Sequence, residues 1–95
     1  MSIQFEWDNQ KAAANLKKHQ VNFEEALTVF GDPLAVIFDD EAHSTDEIRE
    51  IIIGHSTNNR LLLVSFTERG QAIRLISARL VTKKERKDYE ENVHA

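Results

Sequence analysis

None of the 95 residues is cysteine, which excludes a disulfide framework, a thiolate zinc site and a cysteine nucleophile. Proline occurs once and glycine three times. They punctuate the chain locally. No Gly/Ser/Pro-rich linker, low-complexity tract or repeat divides it, so residues 1–95 read as a single domain. Long hydrophobic runs are also missing: stretches such as Leu61 to Val64 are far too short to span a bilayer. The opening MSIQFEWD lacks the basic-then-apolar pattern of a secretory signal. These absences lead to the expectation of a cytoplasmic protein with no membrane partner.

A positive surplus is missing as well. Lys+Arg number 12 against 16 Asp+Glu, a net charge of −4, which on its face speaks against a nucleic-acid partner. The average conceals a split. Residues 1–59 hold 4 Lys+Arg against 11 Asp+Glu, a net of −7, whereas residues 60–95 hold 8 against 5, a net of +3. Within 60–87 eight basic residues face two acids, Glu68 and Glu85. With 41% hydrophobic and 29% charged residues the composition is that of a folded globular chain.

Ile3, Phe5 and Trp7 alternate with polar residues and predict a short extended start. Asp8 is a candidate N-cap for a helix through Lys17, with Ala13 and Leu16 turned inward. A second helix is better marked: Asn22-x-x-Glu25 forms a capping box with Val21 and Ala26 at the staple positions. Phe23, Ala26, Leu27 and Phe30 fall on one apolar face, Gly31 caps the end and Pro33 blocks continuation. The period then changes to two. Leu34 to Phe38 reads as a strand, followed by a polar loop from Asp39 to Asp46. Glu47–His55, Arg60–Glu68 and Gln71–Leu80 are three further strands joined by turns at 56–59 and at Arg69-Gly70. A second capping box, Thr82-x-x-Glu85, opens a last helix to Val93 whose apolar stripe is Tyr89 and Val93. The predicted fold class is α+β: N-terminal helices packed on an antiparallel β-sheet meander, closed by a C-terminal helix.

Turn lengths predict which side chains share a face. A two-residue turn at Arg69-Gly70 pairs Glu68 with Gln71, and a four-residue loop pairs His55 with Arg60. One face then collects Ile51, Ile53, Leu62, Val64, Phe66, Ile73 and Leu75, with His55, Arg60 and Arg79 in its end row. The other carries Ile52, Leu63 and Ile76 with a polar row of Glu50, Ser65 and Arg74. Two arginines side by side repel unless an anion lies between them, and Arg suits phosphate oxygens. The alternative is that each pairs with a nearby carboxylate, and the acidic surplus makes spacing alone favour that alternative. A one-residue slip dissolves both rows.

The four histidines, His19, His43, His55 and His94, have no metal-ligand spacing, so no metal and no cofactor is expected. His43 lies in the acidic loop, which lacks the glycine and terminal glutamate of a calcium site and reads as solvated. His94 reads as a free terminal residue. His19 follows Lys17-Lys18 at a helix end, where the dipole favours its protonated form. No Gly-rich phosphate loop and no Ser–His–Asp spacing is present.

Phe5-Glu6-Trp7-Asp8, Lys11, Asn15, Lys18-His19, Val21, Phe23-Glu24-Glu25-Ala26 and Phe30 resemble the opening block of the BrnT family of bacterial toxins. Gly54, Arg60-Leu61-Leu62, Val64, Phe66-Thr67-Glu68-Arg69-Gly70, Ile73-Arg74, Ile76-Ser77-Ala78-Arg79, Glu85-Arg86 and Tyr89 resemble its second block. Gln20 departs from the glycine usual in the family after Lys-His, which bears on the bend between the helices and so on the placement of His19. The resemblance implies a type II toxin with a RelE-like fold that cuts RNA without a metal and stops translation. Its implied partners are RNA and a BrnA-like antitoxin, with operator DNA reached only through the antitoxin, and a homodimer within that complex is allowed. On this footing Arg79, Arg60 and Arg69 are candidates for phosphate stabilisation, His19 or Lys18 for proton transfer, and Glu68 is a further candidate base. Arg74, Lys83 and Arg86 are candidates for holding the RNA backbone, and Trp7 or Tyr89 for stacking a base, although a core role suits Trp7 better. Two other readings compete: a catalytically inactive module that acts with its antitoxin in promoter repression, and an interaction domain whose basic block docks an acidic partner.

Overall fold

The computed structural model describes residues 3–43 and 46–93; His94 lies outside them. Strand β1 (Gln4–Glu6) leads to helix α1 (Asn9–His19) and helix α2 (Phe23–Thr28), which runs on as a 3₁₀ turn over Val29–Gly31. Strands β2 (Val36–Asp39), β3 (Arg49–His55), β4 (Leu61–Arg69) and β5 (Ala72–Leu80) follow, and helix α3 (Lys83–Val93) closes the chain. The sheet order is β1-β5-β4-β3-β2. The expected antiparallel meander is present, and β1 extends it by pairing parallel with β5, Gln4 opposite Ala72 through Glu6 opposite Arg74. The sheet is therefore mixed. No helix among the described residues is long and apolar enough to cross a membrane.

Local chemistry sets the helix ends. The Asp8 carboxylate accepts from the amides of Gln10 (2.7 Å) and Lys11 (3.2 Å), and these bonds lower its pKa. Asn22 Oδ1 accepts from the Glu25 amide at 2.7 Å. The return half of that capping box is diverted, because the Glu25 carboxylate instead takes Ser56 Oγ (2.6 Å) and Arg60 Nε (2.9 Å). In α3 both halves close: the Thr82 amide donates to Glu85 Oε1 (2.9 Å) and the Glu85 amide to Thr82 Oγ1 (3.1 Å).

Both hairpin registers differ from expectation by small slips with identifiable causes. Asn59 adopts the left-handed conformation (φ 59°), so Ser56 rather than His55 pairs with Arg60, its amide donating to the Arg60 carbonyl at 2.9 Å. The loop between them has three residues, the pattern of a turn followed by a left-handed residue. In the next hairpin Gly70 occupies the first central turn position with φ 62°, so Arg69 pairs with Ala72 and the turn is Gly70-Gln71. Further along, Ser65 faces Ser77 but Phe66 faces Leu75. Ile76 is one residue more than β4 opposes, a β-bulge.

These shifts reassign the faces. Ile52, Leu62, Val64, Phe66, Leu75 and Ala78 join Val21, Phe23, Ala26 and Val29 in the core beneath α1 and α2. Phe30 bridges it, its ring centroid 5.1 Å from Phe5 and 5.0 Å from Phe66. Ile51 and Ile53, expected in that core, instead lie on the opposite face, where Ile53, Leu61 and Leu63 pack with Tyr89 and Val93 of α3. Gly54 allows the 3₁₀ turn to press on β3: a Cβ there would lie 2.9 Å from Ala35 Cβ and 3.1 Å from Val29 Cγ1.

In α1 the inward residues are Ala12 and Asn15, and Ala13 and Leu16 are exposed. The cause is the edge of the sheet. Among the described residues β1 pairs only with 72–74, and the rest of β5 lacks a strand neighbour on that side. Asn15 takes the strand's place: its Oδ1 accepts from the Ala78 amide (3.0 Å) and its Nδ2 donates to the Ala78 carbonyl (2.8 Å) and the Val21 carbonyl (2.9 Å). At the end of α1, Gln20 adopts φ 57° and its Nε2 donates to the Lys17 carbonyl at 3.0 Å. The bend that glycine would make is thus retained with a side chain that disfavours it.

Asn15→Ala strands a buried amide and two carbonyls, and urea denaturation should show a loss of about 3 kcal/mol. Gln20→Gly relieves the left-handed strain and should add about 0.5–1 kcal/mol in the same measurement.

Candidate functional site

Along β5, Ile73 and Leu75 turn toward α1 and α2. Without the bulge Arg79 would turn the same way. The extra residue at Ile76 reverses the phase, so Ala78 is buried under α1 and Arg79 emerges opposite Leu63 on the face that α3 covers only in part. There it borders a groove of about 340 Å³ walled by Asp40, His43, Arg49, Ile51, Leu63, Ser65, Ile76, Ser77, Arg79 and Glu85.

Arg79 is held by a two-pronged ion pair, Nη1 to Glu85 Oε1 and Nη2 to Glu85 Oε2, each 2.8 Å, with Nη1 also donating to the Leu80 carbonyl (3.1 Å). The guanidinium lowers the Glu85 pKa to about 2, aided by the Thr82 amide, and the carboxylate raises that of Arg79 in return. One carboxylate thus caps α3 and fixes the cation. Across the groove His43 Nδ1 lies 3.1 and 3.0 Å from the two Asp40 carboxylate oxygens.

A second groove of about 230 Å³ lies at the β5 edge, lined by Lys11, Ala14, Asn15, Lys18, His19, Ile76 and Ser77. The bulged pair Ile76-Ser77 is a wall common to both grooves. The structure therefore groups Arg79, Lys18 and His19 around one irregularity of β5.

It does not group the other candidates with them. The expected Arg60–Arg79 neighbourhood is absent, because the registers slip and Arg79 pairs with Leu63. Arg60 belongs to the α1–α2 side, where Nε and Nη2 grip Glu25 and Nη2 also reaches the Gln20 carbonyl (3.1 Å). That grip lowers the Glu25 pKa and raises that of Arg60. Arg69 lies six positions along β4 from Leu63, about 20 Å at the strand rise. Glu68 is at the same far end beside Glu50, whose pKa rises through burial and then through the charge of Glu68. The Glu50–Ser65–Arg74 row is dissolved, since Glu50 faces Phe66 and Arg74 faces Thr67. Arg74 keeps an ion pair with Glu6 (3.4 Å), and Lys83 and Arg86 are exposed on α3. Trp7 packs edge-on against Phe23 with centroids 5.8 Å apart, as part of the helix-side core. Tyr89, the other stacking candidate, is buried at 4% exposure.

Arg79 is the one groove residue that was a site candidate from sequence; among the residues the groove adds to it are the bases His43 and Arg49. For His43 a signal existed: Asp40 three residues before it, the spacing at which one tight turn brings a carboxylate to an imidazole. Arg49 carried no comparable signal. Its face depends on the β3 register.

Residues 7–85 match the family model described as the ribonuclease toxin, BrnT, of type II toxin–antitoxin systems. Among solved structures the fold is similar to that of the Brucella abortus ribonuclease toxin, BrnT, at 24% identity and a TM-score of 0.68, over 86% of this chain and 100% of that one. No curated protein matches the chain.

The Arg79–Glu85 pair makes stability depend on acid. Unfolding returns Glu85 from about 2 to its ordinary 4.5, so the contribution is complete above the higher value and is lost as pH falls toward the lower one. Glu85→Gln should cost about 1 kcal/mol near neutrality, a figure that allows for solvent screening of a partly exposed pair. In denaturation across acidic pH, its deficit relative to the parent should shrink through that window.

Proposed function

Because the chain belongs to the BrnT family of ribonuclease toxins of type II toxin–antitoxin systems, we propose that it is the toxin of such a pair. It cuts RNA without a metal ion, stops translation in the cytoplasm, and is neutralised by a BrnA-like antitoxin that carries the complex to operator DNA. The observation that carries this reading is the bulge at Ile76, which turns Arg79 onto the open sheet face beside a wall shared with Lys18 and His19.

The reaction is an internal transesterification. The RNA 2′-oxygen attacks the adjacent phosphorus, the bond to the 5′-oxygen breaks, and the products are a 2′,3′-cyclic phosphate and a free 5′-hydroxyl. Negative charge grows on the non-bridging phosphate oxygens, where Arg79, oriented by Glu85, offers the guanidinium N–H groups that Glu85 and the Leu80 carbonyl leave open. His19 or Lys18 takes the 2′ proton. Arg74 on the same face and Lys83 and Arg86 on α3 attract the flanking backbone. Arg60, occupied by Glu25, and the distant Glu68 and Arg69 receive no chemical step.

A second reading is favoured by one detail: Glu85 already occupies both terminal nitrogens of Arg79. In that reading the protein is a catalytically inactive partner of its antitoxin in promoter repression.

Purified protein incubated with RNA in EDTA separates the two. The expected result is cleavage leaving cyclic-phosphate ends, reduced about 10²-fold or more by Arg79→Ala and similarly by Lys18→Ala combined with His19→Ala. A folded protein that leaves RNA intact on its own and on ribosomes would favour the inactive module. Growth arrest that survives Arg79→Ala and His19→Ala together would remove both residues from the site.

A further inference from the structure

Cleavage by this route moves two protons, one off the 2′-oxygen and one onto the departing 5′-oxygen. The Lys18–His19 groove supplies a group for the first. The second needs a donor on the Arg79 side of the Ile76-Ser77 wall, and the loop after β2 brings one there.

That loop turns through Glu41–His43 in a single 3₁₀ turn, anchored by the Asp40 amide donating to the Arg49 carbonyl at 2.9 Å and by the His43 amide donating to the Asp40 carbonyl at 3.2 Å. The Asp40 side chain is 13% exposed and that of His43 67%. A largely buried carboxylate therefore holds an imidazole that remains open to solvent. With Nδ1–H donated to Asp40, the ring keeps Nε2 for exchange with a ligand. His43 shares its groove with Ser65, Ser77, Arg49 and Arg79, so a histidine steadied by an aspartate and the groove's cations border one cavity. The charged groups that line the groove with His43 are Asp40, Arg49, Arg79 and Glu85.

We propose that His43, positioned by Asp40, is the general acid that protonates the 5′-oxygen leaving group. The inference rests on the ribonuclease reading of this same site. As the O2′–P bond forms and the P–O5′ bond breaks, the 2′ proton passes to Lys18 or His19 and the Nε2 proton of His43 passes to O5′. His43 then regains a proton from water and the base returns its own to solvent, which closes the cycle with no other reactant. Asp40 is a positioning residue: it sets the ring orientation without touching substrate.

The test uses a short RNA containing a cleavage site mapped with the parent protein, made with either oxygen or sulfur at the scissile 5′ position. A thiolate leaves without protonation. His43→Ala should lower kcat on the oxygen substrate by about 10²-fold with KM little changed, yet cleave the sulfur substrate at close to the parent rate. Asp40→Asn should show the same pattern more weakly, and His19→Ala with Lys18→Ala should be slow on both substrates. Equal losses for His43→Ala on the two substrates, or no loss on either, would overturn the assignment while leaving the nuclease reading intact. A parent protein inactive on all RNA would overturn both. Thermal melting confirms that each variant is folded.

Discussion

The side-chain amide of Asn15 stands in for a strand. Beyond Arg74, β5 has no strand neighbour on its outer side among the described residues, and the backbone of Ala78 would otherwise be buried there without partners. Asn15 supplies an acceptor and a donor to that one residue and a second donor bond to Val21 at the entry to α2. Three segments are thereby tied at one point. The rotation of α1 follows from it: Leu16 faces solvent at 48% exposure, because the inward position is given to a polar residue. The same rotation brings Lys18 and His19 to the β5 edge beside Ile76-Ser77.

The Arg60–Glu25 and Arg79–Glu85 pairs flank the sheet, and their burial separates their roles. Glu25 is 5% exposed and binds Arg60 and Ser56 together, linking α2 to the β3–β4 hairpin. Thr28 strengthens the link by accepting from the Thr57 amide at 3.0 Å. A charge so enclosed is committed to its partners, since removing either leaves the other unpaired. Glu85, at 26% exposure, borders an open groove. There an arriving anion can share the guanidinium without unfolding anything.

Much of the fold was legible from local chemistry. The Thr82–Glu85 capping box, the Asn22 half of the other, the apolar face of α2, the stripe of Tyr89 and Val93, and the three long strands follow from residue types at short spacing. Face assignments were not, because they depend on turn residues whose backbone angles are not written in a pattern of polar and apolar positions. Asn59 at positive φ shortened one loop by a residue and exchanged Ile51 and Ile53 with Ile52. The bulge left only the adjacency of Leu75 and Ile76 as its trace, two apolar residues where strict alternation allows one. The basic block of 60–87 was real as composition, yet the fold spends Arg60 on structure and separates Arg69 from Arg79 by most of a strand. His43 was hidden for the opposite reason: its acidic surroundings resemble an ordinary solvated loop until the turn folds Asp40 against its ring.

Because Ile76 is supernumerary, the chemistry of β5 depends on the number of its residues as well as on their identity. Substituting a residue between Leu75 and Ala78 keeps the alternation that follows it. Deleting Ile76 removes the bulge itself and restores simple pairing, with Arg79 still opposite Leu63 and Ala78 still beneath the helices, so the strand straightens at the wall the two grooves share. Point substitution and single-residue deletion therefore explore different landscapes in this strand: the first changes what lines a groove, and the second flattens the backbone that divides two grooves while both faces keep their residues.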